Sequence, residues 1–260
     1  MPMKPKIRKI LLLLGILLLL TEAMFHSISR TWDNYMIHKV QQFAQYRTGE
    51  FLNTWLGIDI QQYPSDLMIY QELIYSQKPE IIVETGTYKG GLSVYLATIL
   101  EHVNPTARIL TVDIDGHNWR ETVASGRVPE NLLQRITLFE SDSVSDELIR
   151  KMSSLTAGKK TMVILDSSHT AAHVLRELQL YSKMVTPGSY LIVNDTHLEG
   201  IGWIRQNLWN RMFHPELGIG PLTAVRQFMS STADFTIDPT LPKSYISCSP
   251  SGFLKRKGAG

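Results

Sequence analysis

The stretch IIVETGTYKGGLSVYLATIL, residues 81–100, decides the fold. It opens with a short β-branched apolar run at 81–83, passes through Glu84 and a glycine-rich turn, and continues into a long apolar segment. A buried strand, a glycine turn and a helix in this order are typical of one βα unit. The glycines are compatible with close approach of a ligand to the backbone, or with a tight strand–helix turn that binds nothing.

Further apolar runs of the same kind follow along the chain, at 109–112, 136–139, 162–165 and 190–193. Continuous β-branched runs of this length suit strands that are buried on both faces, and a helical pattern at Val174, Leu178, Tyr181 and Val185 separates the last two. The repetition predicts an α/β protein with a mostly parallel sheet. Two final runs, 235–238 and 244–249, are close enough in sequence to pair antiparallel at the C-terminal edge.

An acid follows each of the five parallel runs closely, at intervals of 24 to 29 residues: Glu84, Asp113, Asp142, Asp166 and Asp195. Ligands bind at the carboxyl ends of strands in open α/β sheets, so the repeated acids predict a binding site, although any single acid could instead cap the next helix. Glu84 suits a ligand amino group, Asp113 suits ribose hydroxyls, and Ser141 or Asp142 suits an adenine edge. An adenosine ligand that carries an amino acid fits all three positions.

Composition excludes several classes of protein. The chain has 260 residues and 43% hydrophobic residues, which is typical of a globular protein rather than a disordered or fibrous one. The single cysteine, Cys248, excludes an internal disulfide and a thiolate zinc site. The net charge of +2 includes four basic residues within the first nine, so the remaining chain is net negative and we expect no nucleic-acid partner.

The N-terminus carries eleven apolar residues at 10–20 behind this basic flank. As a helix they would span about 16 Å, which is short of a hydrocarbon core of roughly 30 Å. Three interpretations remain open: an uncleaved anchor or shallow membrane helix, a cleaved signal peptide, and a buried core helix. We predict membrane-surface association through residues 10–25 with the body facing the cytosol. The predicted division is 1–26 as the hydrophobic segment, 27–63 as a helical and loop cap, and 64–260 as the main domain.

Six motifs together resemble the cephalosporin hydroxylase / rhamnosyl O-methyltransferase family. They are E-x-G-x-x-x-G at 84–90, D-I-D at 113–115, L-D-S-S-H-T at 165–170, V-T-P-G-S-Y-L-I-V-N-D-T at 185–196, T-A-V-R-Q-F at 223–228 and S-G-F-L-K-R at 251–256. The resemblance covers roughly residues 55–256. It implies a Rossmann-like class I methyltransferase fold, with a mostly parallel seven-stranded sheet, an antiparallel C-terminal edge and helices on both faces. It also implies S-adenosylmethionine (SAM) as cofactor and a divalent metal beside the methyl group.

The resemblance implies roles for particular residues. The expected cofactor residues are Glu84, Gly86, Thr87, Gly90, Ser93, Asp113, Asp115, Ser141 and Asp142. Asp166, Asn194 and Asp195 end neighbouring strands and are the expected ligands of Mg²⁺ or Mn²⁺, because hard oxygen donors favour these ions. Related sequences often have an acid where this chain has Asn194, and a neutral ligand lowers metal affinity. Asp166 and His169 are the expected catalytic residues, with His169 as the base; the alternative for His169 is a helix cap.

The resulting expectation is a SAM-dependent, Mg²⁺-assisted O-methyltransferase that acts on a hydroxyl of a sugar, glycolipid or polyketide-like metabolite. Two alternatives are a non-haem iron hydroxylase and a non-catalytic, membrane-tethered SAM-fold binding protein. The stretch 198–221, with Trp203, Trp209 and Phe213, is the expected acceptor lid. A homo-oligomer is compatible with the sequence.

Overall fold

The computed structural model describes residues 20–22, 53–199, 220–241 and 247–258. The predicted lid residues Trp203, Trp209 and Phe213 lie outside these ranges, as does most of the predicted membrane segment. The strands are Thr54–Trp55 (β1), Ile58–Asp59 (β2), Ile81–Thr85 (β3), Arg108–Asp113 (β4), Ile136–Glu140 (β5), Thr161–Leu165 (β6), Tyr190–Val193 (β7), Phe235–Ile237 (β8) and Phe253–Arg256 (β9). The helices are Pro64–Gln77 (α1), Gly91–Val103 (α2), His117–Ala124 (α3), Glu130–Leu133 (α4), Asp146–Thr156 (α5), Ala171–Tyr181 (α6) and Pro221–Ser231 (α7), with a short 3₁₀ helix at Thr196–Glu199.

Seven strands form one sheet in the order β5-β4-β3-β6-β7-β9-β8. Strands β3 to β7 pair in parallel, and β9 is antiparallel to both of its neighbours. The predicted mostly parallel sheet with an antiparallel C-terminal edge is confirmed. Strand order reverses at β3, which lies between β4 and β6, and this reversal opens a crevice at the carboxyl ends of β3 and β6.

Apolar side chains project from both faces of the sheet and form one core cluster on each side. One core cluster joins Ile82, Ile109 and Ile192 to residues of α1 to α4, such as Tyr70. A second cluster joins Val83 and other strand residues to α5, α6 and α7. Alternate strand residues therefore face opposite layers, which is the predicted arrangement of helices on both faces.

The last strand lies later in the chain than the sequence pattern predicts. A strand was expected at 244–249; residues 244–246 lie outside the described ranges, residues 247–249 form a loop, and β9 begins at Phe253. The Oγ of Ser247 and the backbone N–H of Cys248 both donate to the carboxylate of Asp66, at 2.6 and 2.8 Å. These bonds tie the loop to α1 rather than to the sheet.

The described part of the predicted 27–63 cap is a two-stranded hairpin, β1 and β2, rather than a helix. It packs on α2, and the Nε1 of Trp55 donates to the Oγ1 of Thr98 at 3.1 Å. None of the helices in the described ranges has the length and apolar character needed to cross a membrane.

Candidate active site

A cavity of about 420 Å³ opens at the carboxyl edge of the parallel strands. Its lining comes mainly from the loops that follow β3, β4, β5, β6 and β7, with contributions from the first turns of α2 and α6, the end of β2 and the residues just after it. The predicted site residues among its walls are Gly86, Thr87, Asp113, Ser141, Asp142, Asp166, His169 and Asp195. The topology therefore brings eight of the predicted residues to one place.

The loop after β3 has three residues with positive φ, which are Gly86 at 87°, Tyr88 at 50° and Gly90 at 78°. A Cβ atom at Gly86 would lie 2.0 Å from the backbone oxygen of Asp166. Glycine is therefore required there both by its conformation and by contact with the loop that follows β6. Gly90 lies against the ring of Trp119 and does not line the cavity.

Glu84 lies near the end of β3, just before this loop, and its solvent exposure is 1%. The Oγ1 of Thr111 donates to its Oε2 at 2.7 Å, and the Oγ of Ser93 donates to the same oxygen. Burial raises the pKa of Glu84 to about 7, partly offset by these two hydrogen bonds. Neither Glu84 nor Ser93 reaches the cavity wall, so direct contact of either side chain with a ligand amino group does not follow from this structure.

Asp113 lines the cavity at the end of β4. Its carboxylate accepts hydrogen bonds from the backbone N–H of Tyr88 at 2.8 Å and of Asp115 at 3.1 Å, so it joins two of the loops. Asp115 does not line the cavity; its Oδ1 instead accepts from the backbone N–H of His117 at the start of α3.

Three side chains meet at the ends of β6 and β7: Asp166, His169 and Asp195. One ligand atom from each lies within 4.8 Å of the others. The Nε2 of His169 is 2.9 Å from the Oδ2 of Asp195, and this hydrogen bond raises the pKa of His169 above its usual value. Burial and the nearby Asp195 carboxylate raise the pKa of Asp166.

Asn194 lies beside this cluster, where it lowers the pKa of Asp166 and so partly offsets the rise caused by burial and Asp195. It is 2% exposed, and its Oδ1 accepts hydrogen bonds from the hydroxyls of Tyr70 at 2.7 Å and Ser249 at 2.8 Å. Its Nδ2 has no hydrogen-bond partner within the described ranges. His169 thus lies with Asp166 and Asp195 in the cluster, and Asn194 stays a predicted ligand whose side-chain oxygen already accepts from two hydroxyls.

The sequence interpretation missed several wall residues. Asp59, Gln61 and Gln62 line the cavity from the segment that was assigned to a separate cap. Asp59 also pairs with the Nζ of Lys89 in the loop after β3, at 2.5 Å. The missed signal is the pair of glutamines at 61–62, which is separated by one residue, Tyr63, from the proline that begins α1.

A second missed group lies beside the loop after β5. Ser143 and His173 both line the cavity, and the Oγ of Ser143 is 2.9 Å from the Nε2 of His173. Behind them, fully buried Glu177 accepts a hydrogen bond from the Oγ of Ser167 at 2.7 Å and raises the pKa of His173.

Comparison with known proteins identifies relatives. Residues 49–257 match the family described as Rhamnosyl O-methyltransferase/CmcI. A Rhamnosyl O-methyltransferase of Mycobacterium leprae (strain TN) is 28% identical over 225 residues, which cover 84% of this chain and 90% of that protein. The Rhamnosyl O-methyltransferase of Mycobacterium bovis (strain BCG / Pasteur 1173P2) is 30% identical over 208 residues, which cover 78% of each.

Two solved structures share the fold. The CmcI-N160 apo-structure has a TM-score of 0.54 and 16% identity, and the match covers 80% of this chain and 77% of that chain. The structure described as cmcI-D160 Mg-SAM has the same TM-score and identity, and covers 78% and 76%.

Proposed function

The chain belongs to the rhamnosyl O-methyltransferase/CmcI family of SAM-dependent O-methyltransferases, and we propose that its acceptor is a hydroxyl group of a sugar. The curated relatives at 28% and 30% identity carry the name Rhamnosyl O-methyltransferase, which supports a sugar, free or carried on a glycolipid or polyketide-like metabolite. The observation that carries the proposal is the cluster of Asp166, His169 and Asp195 at one end of a cofactor-sized cavity.

The cavity fits SAM. Its volume of about 420 Å³ lies within the range of small-molecule sites, and it spans the strand-order reversal where nucleotides bind in such sheets. Gly86, Thr87 and Asp113 would hold one part of the cofactor, and Ser141 and Asp142 the adenine end. When bound, SAM supplies a methyl group on a positively charged sulfur.

Proton removal from the acceptor is assigned to His169. Its Nε2 is paired with Asp195, so Nδ1 is the ring nitrogen through which it can accept a proton from a hydroxyl. Asp195 holds the ring in place and stabilises the imidazolium that forms. This pairing is the same arrangement by which a carboxylate orients a catalytic histidine in other enzymes.

The donor set also fits a divalent cation. Asp166 and Asp195 place two carboxylates close together, and their mutual repulsion contributes to the raised pKa of Asp166. A hard cation would relieve that repulsion, and carboxylates are preferred ligands of Mg²⁺ and Mn²⁺. We assign Asp166 and Asp195 to this ion and His169 to proton transfer. When bound, the ion would lower the pKa of a coordinated hydroxyl.

The test measures SAM binding by calorimetry, then methyl transfer from labelled SAM to rhamnosides and to glycolipid extracts. We expect SAM to bind the purified protein and the label to enter a sugar-containing product. A folded protein that binds no SAM would contradict the assignment of the cavity. SAM binding combined with transfer only to acceptors without a sugar would contradict the acceptor class.

We further propose that residues 10–25 associate with a membrane surface. Its support is the apolar run at 10–20 with its basic flank, which would place the enzyme near a lipid-linked acceptor. Flotation with anionic vesicles tests it on the full chain and on a chain that lacks residues 1–25. Equal flotation of both chains would contradict the proposal.

The site residues fit neither of the two alternative functions, a non-haem iron hydroxylase and a non-catalytic binding protein, as well as they fit a methyltransferase. A non-haem iron site needs two histidines and one carboxylate, whereas the cluster contains one histidine and two carboxylates. His197 does not supply the second, because its Nδ1 lies 2.8 Å from the backbone oxygen of Cys248 and its side chain is buried. A non-catalytic role does not explain why His169 and Asp195 form a hydrogen-bonded pair in the cavity wall.

A further inference from the structure

We propose that Gln62 is a positioning residue for Asp166: it fixes the carboxylate for cation binding from a segment that precedes the methyltransferase sheet. The inference rests on the proposed function, since it assumes that Asp166 binds the cation. Gln62 lies just before α1 and belonged to the predicted cap, so neither the motifs nor the strand-end acids pointed to it.

The contact is direct. The Nε2 of Gln62 donates a hydrogen bond to the Oδ2 of Asp166 at 2.8 Å. Gln62 is 3% exposed, so water competes little for this bond. A hydrogen bond to a carboxylate is stronger than one between neutral groups, and it occupies one carboxylate oxygen while leaving the other for a cation. Such outer hydrogen bonds orient metal ligands in proteins.

The orientation of the Gln62 amide is itself fixed on its other side. Its Oε1 accepts a hydrogen bond from the thiol of Cys248 at 3.3 Å, and the hydroxyl of Tyr70 lies 3.4 Å away. Burial and the neighbouring Asp66 carboxylate raise the pKa of the Cys248 thiol well above its usual value, so the sulfur keeps its proton within reach of both Asp66 and the Oε1 of Gln62. The opposite orientation would place Oε1 against the Asp166 carboxylate, where two acceptors repel. The thiol therefore directs the amide donor toward Asp166.

This chain of contacts explains why the residue is glutamine. A glutamate would place a third carboxylate beside Asp166 and Asp195, and a methionine of similar size would fill the space without donating. The network also joins three distant parts of the chain: the segment before α1, the end of β6, and the loop before β9.

The experiment measures Mn²⁺ binding to the full, metal-stripped chain by electron paramagnetic resonance of free Mn²⁺. The variant is Gln62→Met, and the matched control is Gln134→Met, because Gln134 also donates its amide to a carboxylate, that of Glu130, on the exposed surface at 3.1 Å. Loss of an outer hydrogen bond weakens metal binding by about 10- to 100-fold. We expect that loss of Mn²⁺ affinity in Gln62→Met alone, with Mn²⁺ and SAM affinity both unchanged in Gln134→Met.

A pair of substitutions at Cys248 keeps the test decisive if Gln62→Met does not fold. Cys248→Ser retains a donor to Oε1 and should keep Mn²⁺ affinity, whereas Cys248→Ala should weaken it. Wild-type Mn²⁺ affinity in Gln62→Met or, where that variant does not fold, in Cys248→Ala would overturn the inference and leave the cation site standing. Absence of Mn²⁺ binding in the wild type would remove the cation from the proposed function and this inference with it, while SAM binding would be untouched.

Discussion

At the scale of single residues, the proposed proton transfer depends on two properties of His169: its exposure to the cavity and its hydrogen bond to Asp195. The side chain of His169 is 43% exposed, which leaves it accessible to an acceptor, while Asp195 holds it from one side. General-base catalysis by a positioned side chain typically accounts for a factor of about 10² to 10⁴ in rate.

His169→Ala should therefore lower methyl transfer by about 10²- to 10⁴-fold without loss of SAM binding. The comparison is His102→Ala, which changes an exposed histidine near the end of α2, away from the cavity. Single-turnover transfer and calorimetric SAM binding are measured on both variants. Transfer by His169→Ala within threefold of the wild type would rule out its role as base.

Glu84 makes stability depend on pH. Its pKa in the folded protein is about 7, against an ordinary value of 4.5. The folded state therefore holds a proton that the unfolded state releases, and stability falls as pH rises from about 4.5 to 7. The shift corresponds to about 3 kcal/mol in the free energy of unfolding.

Glu84→Gln removes this dependence, because an amide does not titrate in this range. We expect the variant to gain stability relative to the wild type between pH 5 and pH 8, by several degrees in melting temperature. Thermal unfolding at both pH values measures the change. A difference between the two proteins that stays constant with pH would contradict the raised pKa.

At the scale of elements, the loops after β3 and β6 lie against each other, with Gly86 at the point of contact. Gly158 offers a matched comparison, since its φ of 71° is also positive but a Cβ there would meet nothing within 4 Å. Both positions impose the same backbone cost on alanine, about 1–3 kcal/mol, but only Gly86 adds a collision.

Gly86→Ala should therefore destabilise the protein more than Gly158→Ala, and only Gly86→Ala should also weaken SAM binding. Denaturant unfolding and calorimetry separate the two effects. Equal losses of stability in the two variants, with SAM affinity intact, would show that the close contact at Gly86 has no energetic weight.

The elements also show where sequence reasoning succeeded. Strands β3, β6 and β7 were predictable because each is an apolar run buried on both faces, and the parallel order of β3 to β7 follows from the helices between them. The acids at their ends followed from the same pattern. The run 244–249 has an equally strand-like composition, but its described residues, 247–249, form a loop in which Ser247 and Cys248 bind the carboxylate of Asp66, far away in sequence. Long-range contacts also explain why two features could not be predicted: the hydrogen bond of Gln62 to Asp166 and that of Tyr70 to Asn194. Each joins residues more than 100 positions apart, which no local sequence pattern reveals.

At the scale of the whole molecule, the sheet collects acids at one edge although the net charge of the chain is positive. Asp113, Asp142, Asp166 and Asp195 all line one cavity. Like charges in one cleft focus a negative potential, which attracts cations. SAM and a divalent ion both carry positive charge at their reacting centres, so both fit this edge.

Removal of metal should therefore abolish most methyl transfer but leave a SAM-binding protein. We expect treatment with a chelator to lower the rate by at least tenfold, and added Mg²⁺ or Mn²⁺ to restore it, while added Na⁺ at equal ionic strength does not. Full activity in the presence of chelator would contradict the cation and leave the cofactor assignment intact.

The bond between Cys248 and Asp66 spans 182 positions of the chain. A ribosome releases Asp66, Tyr70 and Gln62 long before it releases the loop that completes their surroundings. A nascent chain that has not yet reached Ser247 would thus present these carboxylates without the thiol that contacts Gln62. We expect nascent chains arrested ahead of Ser247 to retain manganese more weakly than chains in which this loop is in place.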